Sequence, residues 1–276
     1  MPELPEVEAV RRTLEPAMRG AVIERVLLRR ADLRRPFPDG FAIRLEGRRI
    51  RSVDRRGKYL LVELDSGDVL LMHLGMSGSF RIDRVTRRRG RSDTAIDRHD
   101  HVTFTLSNGV VVIFNDPRRF GAMDLIRRGH AGGLRGFGTL GPEPLAAAFH
   151  AATLASAVAG RRVALKVALL DQRVVAGLGN IYASEALHLA HLSPRRRAST
   201  IATAAGKPRP HAVRLAAAIK HVLRKAIAGT KRRDGTNRFR IYDRDGEPCP
   251  TRGCAGTIRR MSQAGRSTFY CPICQR

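Results

Sequence analysis

The chain has 276 residues, a length that suggests about two domains. It carries 51 lysines and arginines against 25 aspartates and glutamates. The resulting net charge of +26 excludes an acidic disordered tail and favours a polyanionic partner, above all nucleic acid. Hydrophobic residues make up 43% of the chain, which argues against disorder, and no run of about 18 apolar, uncharged residues predicts a membrane span.

The N-terminus predicts a protein that is not exported. Residues 1–6 are acidic and contain two prolines, whereas a secretory signal needs a basic start and an apolar core. We therefore expect a cytoplasmic protein. In that compartment cysteines are more often metal ligands than disulfide partners.

The first predicted element is a helix that begins around Pro5, since proline is favoured in the first helical turn. Val7, Val10 and Leu14 repeat at helical spacing, and Pro16 limits the length of the helix. Three carboxylates lie at or near its positive end, where the helix dipole stabilises them: Glu3, Glu6 and Glu8.

Residues 21–125 are predicted to form β-strands. Tyr59–Leu64 and Val69–His73 flank a turn of sequence Asp-Ser-Gly-Asp. Apolar and polar residues alternate over 102–106, and Asn108–Gly109 then gives a strong hairpin signal. These patterns indicate an antiparallel β domain behind the first helix.

After the strands the pattern becomes helical. The basic stretch Arg87–Arg98 is predicted to be a loop, and Arg127–Pro144, with six glycines and two prolines, is typical of an interdomain linker. The clearest helix covers residues 211–228. Another is predicted to start near Ile181, after the tight turn at 177–180.

All four cysteines lie in the last 28 residues. Cys249 and Cys254 are separated by four residues, and Cys271 and Cys274 by two, with sixteen residues between the pairs. Two close pairs around a short hairpin suit tetrahedral zinc, and so small a unit needs the metal to fold. The zinc would be structural, because four cysteines leave no position for water. The alternatives are four free thiols or two disulfides.

Pro2 has a chemical meaning besides its place before a helix. Initiator methionine is usually removed before proline, and its removal exposes a secondary amine. An α-amino group has a pKa of about 8, so roughly a tenth of it is neutral at pH 7, against less than about a thousandth of a lysine amine. A neutral amine can attack an electrophilic carbon and form an iminium. Alternatively, Pro2 has only a structural role, as a residue that precedes the first turn of the helix.

Eight motifs, in order along the chain, resemble those of the bacterial formamidopyrimidine-DNA glycosylase family. They are residues 1–8, 55–61, 73–79, 99–102, 116–121, 140–145 and 177–185, together with the closing cysteine unit. The resemblance implies excision of oxidised purines, chiefly 8-oxoguanine and formamidopyrimidines, from damaged double-stranded DNA. It also implies strand cleavage at the resulting abasic site by β,δ-elimination, and a monomeric enzyme.

The same resemblance implies an α+β multidomain fold. Its parts are an N-terminal helix plus β-sandwich, a helical helix–two-turn–helix domain and a C-terminal zinc-binding β-hairpin. We expect the catalytic helix and sandwich at residues 1–126, the linker at 127–144, the helical DNA-binding domain at 145–238 and the zinc hairpin at 239–276.

Catalytic roles follow from the resemblance by position. Pro2 resembles the nucleophile that attacks C1′ of the damaged nucleotide, and Glu3 the acid that protonates the sugar ring oxygen. Glu6 is expected to help hold the site. Lys58 and Arg266 match residues that the family assigns to the elimination steps. Because a guanidinium stays protonated, a bidentate phosphate clamp is the better physical role for Arg266.

Further matches concern DNA binding. An enzyme that flips a nucleotide out of the stack must stabilise the hole left behind. Three residues match the family's wedge, in which methionine and phenylalanine intercalate and arginine bonds the orphaned base: Met76, Arg118 and Phe120. Three more match positions that hold phosphates: His99, Arg162 and Asn180.

Two departures from the family pattern leave alternatives open. The first cysteine pair is spaced by four residues where many relatives have two, and Thr230–Asn237 is shorter and more basic than the usual lesion-covering loop. An enzyme of the endonuclease VIII type, acting on oxidised pyrimidines, is therefore the first alternative, although Leu4 favours the purine branch. The second is a non-catalytic zinc-containing DNA-binding protein. Only six of the 51 cations are lysines, so genome composition is a further explanation of the charge.

Overall fold

The computed structural model describes residues 1–84, 97–129, 133–134, 136–229 and 239–276. These residues fall into two compact units, Met1–Gly138 and Thr139–Arg276. Most of the predicted basic loop at 87–98 and the whole segment Thr230–Asn237 lie outside the described residues.

Helix α1 (Leu4–Met18) opens the first unit with a reciprocal capping box. The backbone N–H of Glu3 donates to Glu6 Oε2 over 2.9 Å, and the Glu3 side chain accepts from the backbone N–H of Glu6. Two N–H groups without helical partners are thereby satisfied. Pro16 does not end the helix, which continues for two residues because Met18 is fully buried in the core.

Eight strands form a sandwich of two four-stranded antiparallel sheets. The first sheet contains, in spatial order, β1 (Ile23–Leu28), β6 (Asp100–Leu106), β7 (Val110–Asn115) and β5 (Ser79–Arg84). The second contains β2 (Ile50–Arg56), β3 (Tyr59–Leu64), β4 (Asp68–His73) and β8 (Ala122–Arg127). A short helix, α2 (Phe41–Leu45), connects β1 to β2.

The core of this unit consists of the inward-facing residues of both sheets and the buried face of α1. Along β6, the predicted inward residues Val102, Phe104 and Leu106 are all buried. The predicted hairpin at Asn108–Gly109 is confirmed, with Gly109 at φ 77°. Burying one such side chain contributes about 1.5–3 kcal/mol, so the core holds the strands in register and fixes the turns at their ends.

The second unit is built on four helices, α3 (Ala151–Val158), α4 (Leu165–Leu170), α5 (Asn180–Leu189) and α6 (Pro210–Gly229). Helix α6 confirms the helix predicted at 211–228. Helix α5 follows the glycine-containing turn and begins one residue before the predicted Ile181. Both α3 and α5 pack against α6.

A β-hairpin completes the second unit, with strands β9 (Arg259–Gln263) and β10 (Arg266–Tyr270). Ala264 and Gly265 join them, with φ angles of 48° and 71°. Two consecutive residues at positive φ form a tight hairpin turn that matches the strand twist. The short hairpin predicted between the two cysteine pairs is therefore present. Among the described helices, none is long and apolar enough to cross a bilayer.

Candidate active site and nucleic-acid interface

The start of α1 places Pro2 and Glu3 side by side. Pro2 is half-buried, whereas Glu3 is 2% exposed and caps the helix. Met1, which must leave before the proline nitrogen becomes a terminal amine, is 47% exposed and accessible for removal. The sequence therefore positions a candidate amine next to a carboxylate that the capping box holds in one place.

Lys58 lies in the two-residue turn between β2 and β3 and is 6% exposed. Arg55 connects this turn to α1, because its Nε donates to Glu8 Oε2 over 3.2 Å and its Nη1 donates to Gly57 O over 2.9 Å. Ion pairs with Arg11, Arg12 and Arg55 surround the Glu8 carboxylate. The turn that carries Lys58 is thus tied to α1, the helix that Pro2 and Glu3 precede.

His73, at the end of β4, is a polar residue that the sequence prediction did not single out. Burial, and then the positive charges of Lys58 and Arg34, lower the pKa of His73 to about 4. Its Nδ1 accepts the backbone N–H of Gly75 over 3.0 Å. The imidazole is therefore neutral at pH 7 and carries its proton on Nε2, as an uncharged donor beside Lys58. Its place in the motif at 73–79 was the signal that could have identified it.

The three predicted wedge residues lie on two neighbouring loops of the first unit. Met76 is 42% exposed and Phe120 is 38% exposed. The guanidinium of Arg118 lies 4.9 Å from the centre of the Phe120 ring. Large apolar side chains left in solvent beside a cation are suited to contact a nucleic-acid base.

A buried carboxylate joins these two loops. Asp116, fully buried, accepts the Ser77 hydroxyl over 2.5 Å and the backbone N–H of Gly121 over 2.7 Å. Ser77 Oγ in turn accepts the backbone N–H of Arg118 over 3.2 Å. At Gly75, with φ 62°, an added Cβ would lie 2.2 Å from the carbonyl carbon of Phe120. The two loops are thus packed backbone to backbone and joined by hydrogen bonds.

His99 lies next to this junction. It is half-buried, and its carbonyl accepts the backbone N–H of Asp116 over 3.0 Å. Its own N–H donates to Asp97 Oδ1 over 2.7 Å.

In the second unit, Asn180 is the first residue of α5 and the centre of a polar cluster. Its Nδ2 donates to Ser267 O over 2.9 Å and to the Tyr242 hydroxyl over 3.2 Å. Lys166, which is fully buried, donates to Asn180 Oδ1 over 2.6 Å and to Thr268 Oγ1 over 2.6 Å. The cluster joins the N-terminus of a helix, a natural anion site, to strand β10.

Arg266 starts β10 immediately before this cluster and is exposed at the hairpin tip. Arg162 is also exposed, in the connection between α3 and α4. Lys166 was missed by the sequence analysis. A lone lysine in the apolar run 163–170 was the available signal, because a buried lysine needs polar partners.

The four cysteines form a compact donor set. Their Sγ atoms all lie within 4.8 Å of one another, with Cys249 and Cys274 at 3.7 Å and Cys254 and Cys271 at 3.6 Å. Tetrahedral zinc with Zn–S bonds of about 2.3 Å separates its sulfur ligands by about 3.8 Å. The sulfur positions therefore fit one zinc ion with four thiolate ligands.

Three family models match the chain. The formamidopyrimidine-DNA glycosylase N-terminal domain matches residues 1–123, and the H2TH domain of the same family matches residues 140–236. A zinc finger found in FPG and IleRS matches residues 246–276. With the sulfur geometry, this last match confirms the predicted structural zinc.

Relatives cover the chain from end to end. A formamidopyrimidine-DNA glycosylase of Azorhizobium caulinodans is 55% identical over 100% of both chains. The crystal structure of the MutM (Fpg) protein from Thermus thermophilus is 37% identical and has a TM-score of 0.82, covering 99% of this chain and 98% of that chain. The Lactococcus lactis enzyme in complex with FAPY-dG containing DNA is 31% identical with a TM-score of 0.84, covering 99% and 100%. These matches confirm the predicted fold class. The chain belongs to the formamidopyrimidine-DNA glycosylase family.

Proposed function

We propose that this glycosylase removes oxidised purines from duplex DNA through a covalent bond to its own N-terminus. The observation that carries the proposal is the start of α1, where half-buried Pro2 precedes buried Glu3 in the capping box. The Lactococcus lactis relative is bound to DNA containing FAPY-dG, a purine lesion, and this supports the same lesion class here.

The first step joins the proline nitrogen to C1′ of the damaged nucleotide. The lone pair of the neutral amine forms the N–C1′ bond as the glycosidic bond breaks, and the base leaves with the bonding electrons and takes up the proton that the amine nitrogen loses. Glu3 then protonates the ring oxygen as the C1′–O4′ bond opens, which leaves an iminium between Pro2 and the sugar. Glu6, whose carboxylate accepts the Glu3 N–H, supports this arrangement.

The iminium makes the 2′ proton acidic, and its loss expels the 3′ phosphate; a second elimination expels the 5′ phosphate. In these steps Lys58 contacts a phosphate and transfers a proton. This role is supported by its burial beside the neutral donor His73. Arg266 acts as a bidentate phosphate clamp, since its guanidinium keeps its proton.

The remaining predicted residues bind the flipped DNA. Met76 and Phe120 fill the space that the flipped nucleotide leaves in the base stack, and Arg118 hydrogen-bonds the orphaned base. His99, Arg162 and Asn180 bind phosphates. Asn180 does so together with the backbone amides at the start of α5. We assign the chemistry to residues 1–126. Residues 145–238 and 239–276 bind DNA, and the segment 127–144 links them to the catalytic part. The protein acts as a monomer in the cytoplasm.

Excision assays on matched duplexes test the lesion class. We expect a higher kcat/KM for 8-oxoguanine than for thymine glycol. The reverse order would favour the pyrimidine-specific alternative, which the short basic segment Thr230–Asn237 keeps open. Binding without excision of either lesion would favour a non-catalytic DNA-binding protein.

The junction between the wedge loops gives a separate prediction. Asp116→Asn places an amide donor against either the Ser77 hydroxyl or the Gly121 N–H, because both of these donate to the carboxylate. An unsatisfied buried group costs about 1–3 kcal/mol. We therefore expect a loss of about 5- to 150-fold in kcat/KM for excision.

The readout for this variant is the fluorescence of 2-aminopurine placed next to the lesion, which reports insertion of the wedge into the stack. Asp65→Asn is the matched control, since Asp65 is exposed in the turn at the far end of the β3–β4 hairpin. Normal insertion and normal excision by the Asp116 variant would show that the junction does not position the wedge.

A further inference from the structure

The loop between the first two cysteines folds back toward the zinc ligands. It contains Thr251, and the backbone N–H of Cys254 donates to Thr251 O over 3.0 Å, closing a turn. Gly253, at φ 75°, supplies the left-handed residue of this turn. With a spacing of two residues, the same four-residue turn would begin at the first cysteine itself and leave no position for Thr251. The longer spacing therefore brings an additional hydroxyl group to the metal site.

Two side chains contact the sulfur atoms from outside the donor set. His188, on α5 and 1% exposed, has its Nε2 3.5 Å from Cys249 Sγ and 3.3 Å from Thr251 Oγ1. Thr251 Oγ1 lies 3.7 Å from Cys274 Sγ. On the other side of the site, the backbone N–H of Gly256 donates to Cys254 Sγ over 3.4 Å.

Zinc ligation settles which groups donate. Zinc-bound cysteines are thiolates and accept hydrogen bonds only. A lone pair on His188 Nε2 would face the lone pairs of Cys249, so the proton must sit on Nε2. The single Thr251 hydroxyl proton is then left for Cys274, while its oxygen accepts from His188. The single Nε2 proton is thus shared between Cys249 Sγ and Thr251 Oγ1, and His188 Nδ1 is left as a buried acceptor without a partner among the described residues.

We propose that His188 and Thr251 form a hydrogen-bonded brace that retains zinc in this chain and offsets the looser four-residue loop. Side chains that hydrogen-bond the ligands of a metal hold the ligand atoms in place. Removing such a side chain typically lowers the metal affinity by about 10- to 100-fold. Here the brace reaches the thiolates of Cys249 and Cys274. It also ties the zinc site to α5, the helix whose first residue is Asn180.

Zinc transfer from the full-length protein to the chelator 4-(2-pyridylazo)resorcinol tests the brace. His188→Phe and Thr251→Val keep size and remove the hydrogen bonds, and each should release zinc about 10- to 100-fold faster than the wild type. Thr251→Ser keeps the hydroxyl and should restore slow release. Thr257→Val, at an exposed threonine of the same unit, is the matched control.

A spectroscopic readout separates hydrogen bonding from packing. With Co²⁺ bound in place of zinc, loss of a hydrogen bond to a thiolate shifts the sulfur-to-cobalt charge-transfer band to lower energy. We expect this shift in Thr251→Val and not in Thr251→Ser. Zinc release at the wild-type rate in both His188→Phe and Thr251→Val, or an unshifted band in Thr251→Val, would overturn the proposal. If His188→Phe or Thr251→Val binds neither zinc nor cobalt, the proposal is supported when Thr251→Ser binds both metals normally. It is overturned when Thr251→Ser does not.

Discussion

Replacing Glu3 by glutamine should lower the rate of 8-oxoguanine excision by about 10²- to 10⁴-fold, the range that a positioned acid contributes. Glutamine keeps an oxygen that can accept the N–H of Glu6, so the capping box and helix α1 should remain. What it removes is the proton for O4′. The measurement is single-turnover excision on an 8-oxoguanine duplex.

The same variant should still cleave a duplex with a preformed abasic site. Such a sugar opens to its aldehyde spontaneously, and the amine of Pro2 can then form the iminium without an acid at the ring oxygen. Glu6→Gln is the control, because it alters the other half of the capping box and should cost less. Wild-type excision by Glu3→Gln, or equal loss of excision and abasic-site cleavage, would remove Glu3 from the assigned step.

Replacing Cys271 by serine should abolish stable zinc binding and unfold the hairpin. Cys271 is fully buried, and the hairpin has only a small apolar cluster of its own, Ile241, Ile258 and Phe269. Zinc binding contributes about 10–16 kcal/mol to the folding of isolated zinc-finger peptides. We expect less than about a tenth of a zinc per chain and loss of specific binding to lesion DNA, because Arg266 and the strand that contacts Asn180 lose their positions.

The control is Ser267→Ala, which retains the carbonyl that Lys166 and Asn180 contact. Zinc content measured by atomic emission and DNA affinity measured by anisotropy should both be near wild type in that variant. A Cys271→Ser protein that retained one zinc, or bound lesion DNA normally without it, would contradict the structural role of the metal.

Periodicity and turn chemistry predicted most of the fold. Alternation in β6 and the Asn108–Gly109 turn determine the hairpin, because each side of a strand has a different environment. The cysteine spacing likewise predicted the metal unit, because two close pairs can hold one tetrahedral ion. Pro16 was misjudged as a limit on α1, since burial of Met18, a tertiary contact, outweighs the proline.

The parts of the site that the sequence did not predict are buried polar residues. Lys166 lies on α4, whereas its partners Ser267 and Thr268 lie 101 and 102 residues further along the chain. Asp116 and His73 lie within recognised motifs, but Ser77, which donates to Asp116, lies 39 residues away, and the charges that lower the pKa of His73 belong to Lys58 and Arg34. Local patterns carry no information on which distant groups satisfy a buried charge or imidazole.

Borohydride trapping followed by peptide mapping tests whether Pro2 is the nucleophile. The wild-type protein is reduced with sodium borohydride while it processes an 8-oxoguanine duplex, digested with trypsin and analysed by mass spectrometry. We expect one adduct, on the nitrogen of Pro2 in the peptide Pro2–Arg11, and none in a protein that retains Met1. An adduct on a lysine side chain, Lys58 above all, or equal trapping with Met1 in place would contradict it.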